Sequence, residues 1–215
     1  MKNMKKRLAI LSAAAAVLLT ASAALAAPET FSFDKGHSLV GFRIRHFVSK
    51  VEGRFREYDG TISIDRQNPA ASRVDVTIQA ASIDTGNENR DKDLRSPNFF
   101  DVEKFPTITF KSTKVSSRGK DAYDVTGDFT MHGVTKTITI PVRHGGFIKA
   151  GKVEKAGFEV AFTLDRKDYG ITWNRTVDAG GVMLGDDVEI NIQVEANKPL
   201  EDAKPAAPPP AKSGR

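Results

Sequence analysis

Phe158, Val160, Phe162 and Leu164 occupy alternate positions, and Val188, Ile190, Ile192 and Val194 repeat that spacing near the far end of the chain. A period of two places such residues on one face of an extended strand and their polar neighbours on the other. The same alternation runs through Val40, Phe42, Ile44 and Val48, opposed by Leu39, Gly41, Arg43 and Arg45. It recurs at Val51, Gly53 and Phe55, at Ile62 and Ile64, at Val74, Val76 and Ile78, and at Tyr123, Val125, Phe129 and Met131. Four or five strands pass before anything helical, so parallel crossovers have no helices to make them. About eight strands with one apolar face each must curl onto one another, which predicts an all-β, antiparallel fold. Periodicity alone leaves three interiors open: a filled barrel, a lined barrel and a two-sheet sandwich.

One stretch breaks the pattern, Thr85 to Phe110. Asn87 is placed to cap a helix beginning at Glu88, and Asp91 and Arg95 stand four apart as a weak ion pair. Pro97 disfavours helical geometry at Ser96, and the pair can open a second short turn carrying Phe99 and Phe100. Phe105-Pro106 then releases the chain into a strand through Ile108 and Phe110. The segment is expected to be a short apolar plug fixed to the surrounding strands by Arg90, Asp91, Leu94, Arg95 and Ser96.

Turn chemistry supplies the punctuation. Asp59-Gly60 signals a hairpin, Arg118-Gly119 and His132-Gly133 signal turns, and Gly145-Gly146 with Gly151 bounds a short variable segment. Pro141 argues for a strand edge or a bulge. Beyond the bend from Asp165 to Ile171 and the lone Trp173, a loop rich in Asp and Gly is expected to end at Gly185-Asp186-Asp187.

The ends have their own composition. Residues 1–26 join a basic start, Lys2, Lys5, Lys6 and Arg7, to an apolar Ala/Leu run ending in Ala24-Leu25-Ala26, which predicts a secretory signal peptide cleaved after Ala26. Its loss takes four of the 32 bases and no acid, leaving 28 against 27 acids, and near-neutrality removes most of the case for a nucleic-acid partner. No other apolar run approaches the ~20 residues of a spanning helix. Cysteine is absent, so neither a disulfide frame nor a thiolate metal site is available. Residues 27–198 suffice for one domain, and the Pro/Ala-rich 199–215 reads as a disordered tail.

Catalytic patterns are scarce. Ser117 and Lys120 satisfy a serine-x-x-lysine spacing, but in a hydrophilic Gly turn without partner motifs. His37, His46, His132 and His144 lie in separate segments with no metal-site spacing, so no catalytic residue and no metal is expected. His46 falls in phase with Ile44, where it either meets a ligand's polar end or is satisfied by backbone. The aromatics are 13 Phe against 3 Tyr and 1 Trp, rings that can line a cavity without hydrogen-bond partners, or fill an ordinary core.

Four segments, DKGHSLVGFRIRH, TGNENRDKDLRSPNFFDVEKFPTITFKS, GDFTMHGVTKTITIPV and DRKDYGI, occur in an order that resembles the YceI-like family of periplasmic polyisoprenoid-binding proteins. Asp93 stands where members of that family usually carry histidine, so no role of that histidine transfers. The resemblance implies an eight-stranded lipocalin-like barrel lined around a ligand, with the helical plug over one end. It implies non-catalytic binding, storage or transport of a polyisoprenoid or isoprenoid-quinone lipid in the periplasm, with no other cofactor. On that reading strand phase lays the tail along Val40, Phe42, Ile44, Phe55, Phe110 and Phe129, with Phe99, Phe100 and the helix of Arg90 to Leu94 near one opening, and His46 and Trp173 are further candidate ligand-binding residues. Transient contact with a membrane surface, and a homodimer, are compatible with such a carrier. The rival readings are a structural or stress-protective envelope protein with a filled interior and no dedicated ligand, and an enzyme using His46 with Arg90 or Asp91.

Overall fold

The computed structural model describes residues 27–176 and 181–200, so the expected signal peptide at 1–26 and all but the first two residues of the expected tail at 199–215 lie outside the described residues. In chain order the strands are β1 (Glu29–Phe33), β2 (Leu39–His46), β3 (Ser49–Phe55), β4 (Tyr58–Ile64), β5 (Arg73–Gln79) and β6 (Ile83–Asp84). The helix α1 (Glu88–Arg95) follows, and then β7 (Thr107–Ser117), β8 (Ala122–Met131), β9 (Val134–Ala150), β10 (Val153–Asp165) and β11 (Leu184–Pro199). Every pairing is antiparallel.

The first six strands are halves of three staves. β1 pairs β4 while β2 pairs β3, and β4 pairs β5 while β3 pairs β6. The staves break at the turn around Lys35–His37, at Arg56-Glu57 and at the turn Ala80–Ser82. Counted by stave the barrel has eight, in simple up-and-down order. It closes because β11 lies against β10 on one side and against β2 and then β1 on the other. This is the all-β, eight-stranded barrel with a helical plug that the alternation and the resemblance together predict.

Several turns fall elsewhere than expected. Asp59-Gly60 is no hairpin: both residues lie inside β4, paired with Thr77 and Val76 of β5. Gly60 is there because a Cβ would sit 2.1 Å from the Asp75 carbonyl oxygen. A Gly60→Ala change is expected to cost about 2 kcal/mol or more by overpacking against backbone that cannot retreat, read as a fall in the urea midpoint. The hairpin is instead at Phe47-Val48, with Phe47 at φ 50° and Val48 wholly exposed, so Val48 does not share the face of Val40, Phe42 and Ile44. Gly145-Gly146 lies within β9, where register shifts opposite Gly157 and Phe158, and the turn comes at Gly151. Gly185 to Asp187 belongs to β11, in an irregularity between Leu184 and Val188. Pro141 does sit at a local edge, because β9 pairs β10 only from Val142 onward.

Apolar packing divides between two ends. Val40, Phe55, Tyr58, Ile83, Phe99, Ile108, Met131, Tyr169 and Ile171 gather beneath α1, and Phe31, Ala156, Val194 and Ala196 lie toward the other end. Around that second end Glu154 is buried and accepts from Arg66, with Lys198 beside it. Arg66, then Lys198, holds the Glu154 carboxyl down at about 2, against 4.5 in the unfolded chain. A depressed carboxylate stabilises the fold above pH 4.5, and that contribution fades as pH falls toward 2. Because Arg66 is itself about a third exposed, about 2 kcal/mol is the expected size. Glu154→Gln should therefore show a flatter acid limb than the parent in denaturation followed from pH 6 down to 2.

Candidate ligand-binding site

Inside a filled barrel the inward side chains would be fully buried. Here Phe42, Ile44, Phe129, Ile138, Ile140, Val142, Phe158, Phe162, Leu164, Val188, Ile190 and Ile192 point inward and are only partly covered. They face a hollow. It has an upper chamber of 340 Å³ beneath α1 and a lower chamber of 510 Å³ toward the opposite end, both within the range of small-molecule sites. Val40, Ile78, Phe129, Phe162 and Ile192 line both and form a waist between them.

The plug is built much as its sequence predicts. Asn87 caps α1, accepting from the Arg90 amide at 3.0 Å. Asp91 does not pair with Arg95. It is buried and accepts from the amide and hydroxyl of Thr85. Arg90 donates to the Thr85 hydroxyl and carbonyl at 2.7 and 2.8 Å, and Arg95 donates to the carbonyls of Ala81 and Ile83. These bonds tie the helix to the segment before it and leave Leu94, Phe99 and Phe100 facing the upper chamber. Phe100 meets Phe55 edge-on at 5.8 Å, and Phe99 meets Trp173 at 5.1 Å. Asp93 is exposed at the rim.

Of the ten candidate ligand-binding residues, Val40, Phe42, Ile44, His46, Phe55, Phe99, Phe100, Phe129 and Trp173 line the upper chamber. Phe110 lies on the lower chamber, with Phe129 and Val40 shared at the waist. The Phe42 ring packs onto Gly53, where a Cβ would come within 2.3 Å of it, so that glycine makes room for the ring. Among the described residues the His46 side chain makes no hydrogen bond, and its ring packs edge-on against Phe47 at 4.5 Å. Arg90 and Asp91, its proposed catalytic companions, are both engaged by Thr85.

Much of the lining was not singled out. Ile171, Met183, Leu184 and the barrel face of β10 and β11 complete the upper chamber, and most of the lower chamber comes from β5, β8, β9 and β10. The alternation in β10 and β11 was the available signal. One polar residue, Arg166, is 3% exposed on the upper wall and donates to the carbonyls of Gly185, Ile171 and Trp173. Strand phase gives no signal for it, and its place in the DRKDYGI segment was the one available.

A closed antiparallel barrel with a capped, largely apolar interior hollow defines a lipocalin-like barrel. Residues 31–196 match the model of the YceI-like domain, and the chain belongs to that family. It is 40% identical over 201 residues to a UPF0312 protein of Pseudomonas aeruginosa, covering 89% of this chain and 97% of that one. Protein YceI of Salmonella newport is 40% identical over 185 residues, 84% and 92% of the two chains. The Campylobacter jejuni YCEI protein superposes with a TM-score of 0.63 at 33% identity, covering 73% and 90%. A polyisoprenoid binding domain from Saccharophagus degradans shares the fold at a TM-score of 0.57 and 15% identity, covering 79% and 98%.

Proposed function

We propose that this protein binds a polyisoprenoid or isoprenoid-quinone lipid non-covalently within the two chambers, and stores or transports it in the periplasm without chemical change. The observation that carries the reading is the hollow, predominantly apolar interior. A structural protein with no ligand would gain by filling that space, since each buried methylene contributes about 0.8 kcal/mol. The domain from Saccharophagus degradans bears the name of a polyisoprenoid-binding domain on the same fold, which supports the ligand class. Against an enzyme stands the engagement of Arg90 and Asp91 by Thr85, which commits their hydrogen bonds to the plug. The leader read from the sequence supports the periplasmic setting.

Native mass spectrometry of the mature protein from its own envelope, followed by solvent extraction, tests this directly. A stoichiometric isoprenoid adduct is expected. A protein that emerges empty and takes up no added isoprenoid quinone sinks the ligand and favours the structural reading.

Exchange with a membrane would use the upper mouth. The 41% exposed Phe47 and the wholly exposed Val48 stand at the β2–β3 hairpin, and Phe47 is bonded through its amide to the carbonyl of Met183, a residue of the chamber wall. Arg45 donates to the Phe47 carbonyl and brings a cation to the same tip. The double change Phe47→Ser, Val48→Ser is expected to slow lipid transfer between anionic vesicles about ten-fold while leaving thermal stability within about 0.5 kcal/mol, as for other exposed positions. Unchanged transfer kinetics would place the exchange route elsewhere.

A further inference from the structure

The lower chamber carries one feature that containment of a hydrocarbon does not explain. The His144 Nε2 is buried and has no hydrogen-bond partner among the described residues. His144 lies on β9 opposite Phe158, its ring 4.4 Å from Phe147 and 5.3 Å from Phe158, and it lines the chamber. A buried polar atom without a partner is uncommon and costs free energy unless something satisfies it. The charged groups that bear on the ring are Asp121 and Arg66, both on the chamber wall. The backbone carbonyl of Asp121 accepts from the His144 amide at 2.8 Å, which holds the two residues side by side, and Arg66 stacks on Phe147 with its guanidinium carbon 3.8 Å from the ring centroid. Burial pushes the imidazole below its ordinary value, with Asp121 opposing, which favours the neutral ring. A neutral imidazole has one nitrogen that donates and one that accepts.

We propose that the lower chamber is a head-group subsite in which His144 Nε2 hydrogen-bonds the hydroxyl of an isoprenoid alcohol or phenol, so that the lipid enters with its polar end away from α1. The inference rests on the lipid-binding reading and adds to it an orientation and a chemical preference. A hydroxyl suits either tautomer, donating to a bare nitrogen or accepting from a protonated one. Phe147, Phe158 and Val142 enclose the contact in apolar surface, where an unmet bond is most costly. The tail then runs through the waist into the upper chamber.

The test compares geranylgeraniol with the isoprenoid hydrocarbon of the same length, titrated into the full mature chain. The alcohol is expected to bind about ten-fold more tightly, the gain from satisfying one buried nitrogen. In His144→Phe that preference should vanish while the hydrocarbon binds at least as well as before. Should the variant fail to fold, nitrogen-15 histidine spectra of the parent decide the matter: the alcohol, and not the hydrocarbon, should move the His144 Nε2 resonance. Equal affinities in the parent, or a preference that survives His144→Phe, overturns the subsite and leaves lipid binding standing. Failure of both probes to bind overturns the lipid-binding reading itself, and the subsite with it.

Discussion

Replacing Arg166 by methionine is expected to destabilise the protein by about 3 to 5 kcal/mol, because it strands buried acceptors rather than because it removes a charge. Arg166 opens the short turn that follows β10, and Asp165 caps that turn by accepting from the Lys167 amide at 2.8 Å. The guanidinium then serves four acceptors at once. Nε donates to the Gly185 carbonyl at 2.9 Å, one terminal nitrogen donates to both Ile171 and Trp173 at 2.8 Å, and the other reaches Asp186 at 3.2 Å. Burial pushes its pKa down while Asp186 and Asp165 oppose, so the charge is held by its partners. Methionine reproduces the stem and supplies none of the donors. Ile171 and Trp173 would lose their anchor, and both line the upper chamber. For a domain of this size the melting temperature should fall by roughly 10 °C or more. Arg166→Lys should recover less than half of the loss, since an ammonium cannot reproduce the planar fork. A methionine variant within about 1 kcal/mol of the parent in urea denaturation would show that these bonds are replaceable.

Arg166 also marks where the sequence stops being informative. Alternation in β2, β8, β10 and β11 is legible because polar and apolar residues take opposite faces, and the Asn87 cap is legible because its side chain satisfies a local amide. What distinguishes Arg166 from the exposed Arg43 is its contact with carbonyls from a different segment, up to 19 residues away, which no local pattern encodes. Gly60 misleads for a similar reason. Beside Asp59 it reads as turn chemistry, yet its role is to admit the Asp75 carbonyl of the neighbouring strand. Phe47 errs in the opposite direction, adopting φ 50° without the Gly or Asn that would announce a tight turn. The hollow lies a level further out. Alternation says that Phe129 and Phe162 face inward, but the distance across the barrel is fixed by the number and tilt of all eight staves. Filled and lined interiors therefore share one pattern, and only the partial exposure of those inward rings separates them.

If the two chambers hold a single chain, closing the waist should cut the ligand in two energetically. Ile192 is the position to use. It lies on β11 between Asn191 and Gln193, opposite Val40 of β2 and Val160 of β10, and it lines both chambers while remaining only partly covered. Ile192→Trp would place an indole in the passage beside Phe129 and Phe162, at an overpacking cost of about 1 to 3 kcal/mol that the stave pairing can absorb. A chain excluded from one chamber loses the burial of its methylenes there, at about 0.8 kcal/mol each. Five carbons, one isoprene unit, are then worth about 4 kcal/mol, or close to a thousand-fold in affinity. Long isoprenoids that thread both chambers should therefore lose at least a thousand-fold, and short ones that fit the lower chamber alone should bind almost as before. Binding curves for a series of isoprenoid alcohols of increasing length give the answer in one experiment. In the parent, affinity should climb with each added unit until both chambers are full. In Ile192→Trp the climb should stop early. A variant whose affinity keeps rising with length would mean that the tail never passes the waist, and that the upper chamber holds something other than the end of the same lipid.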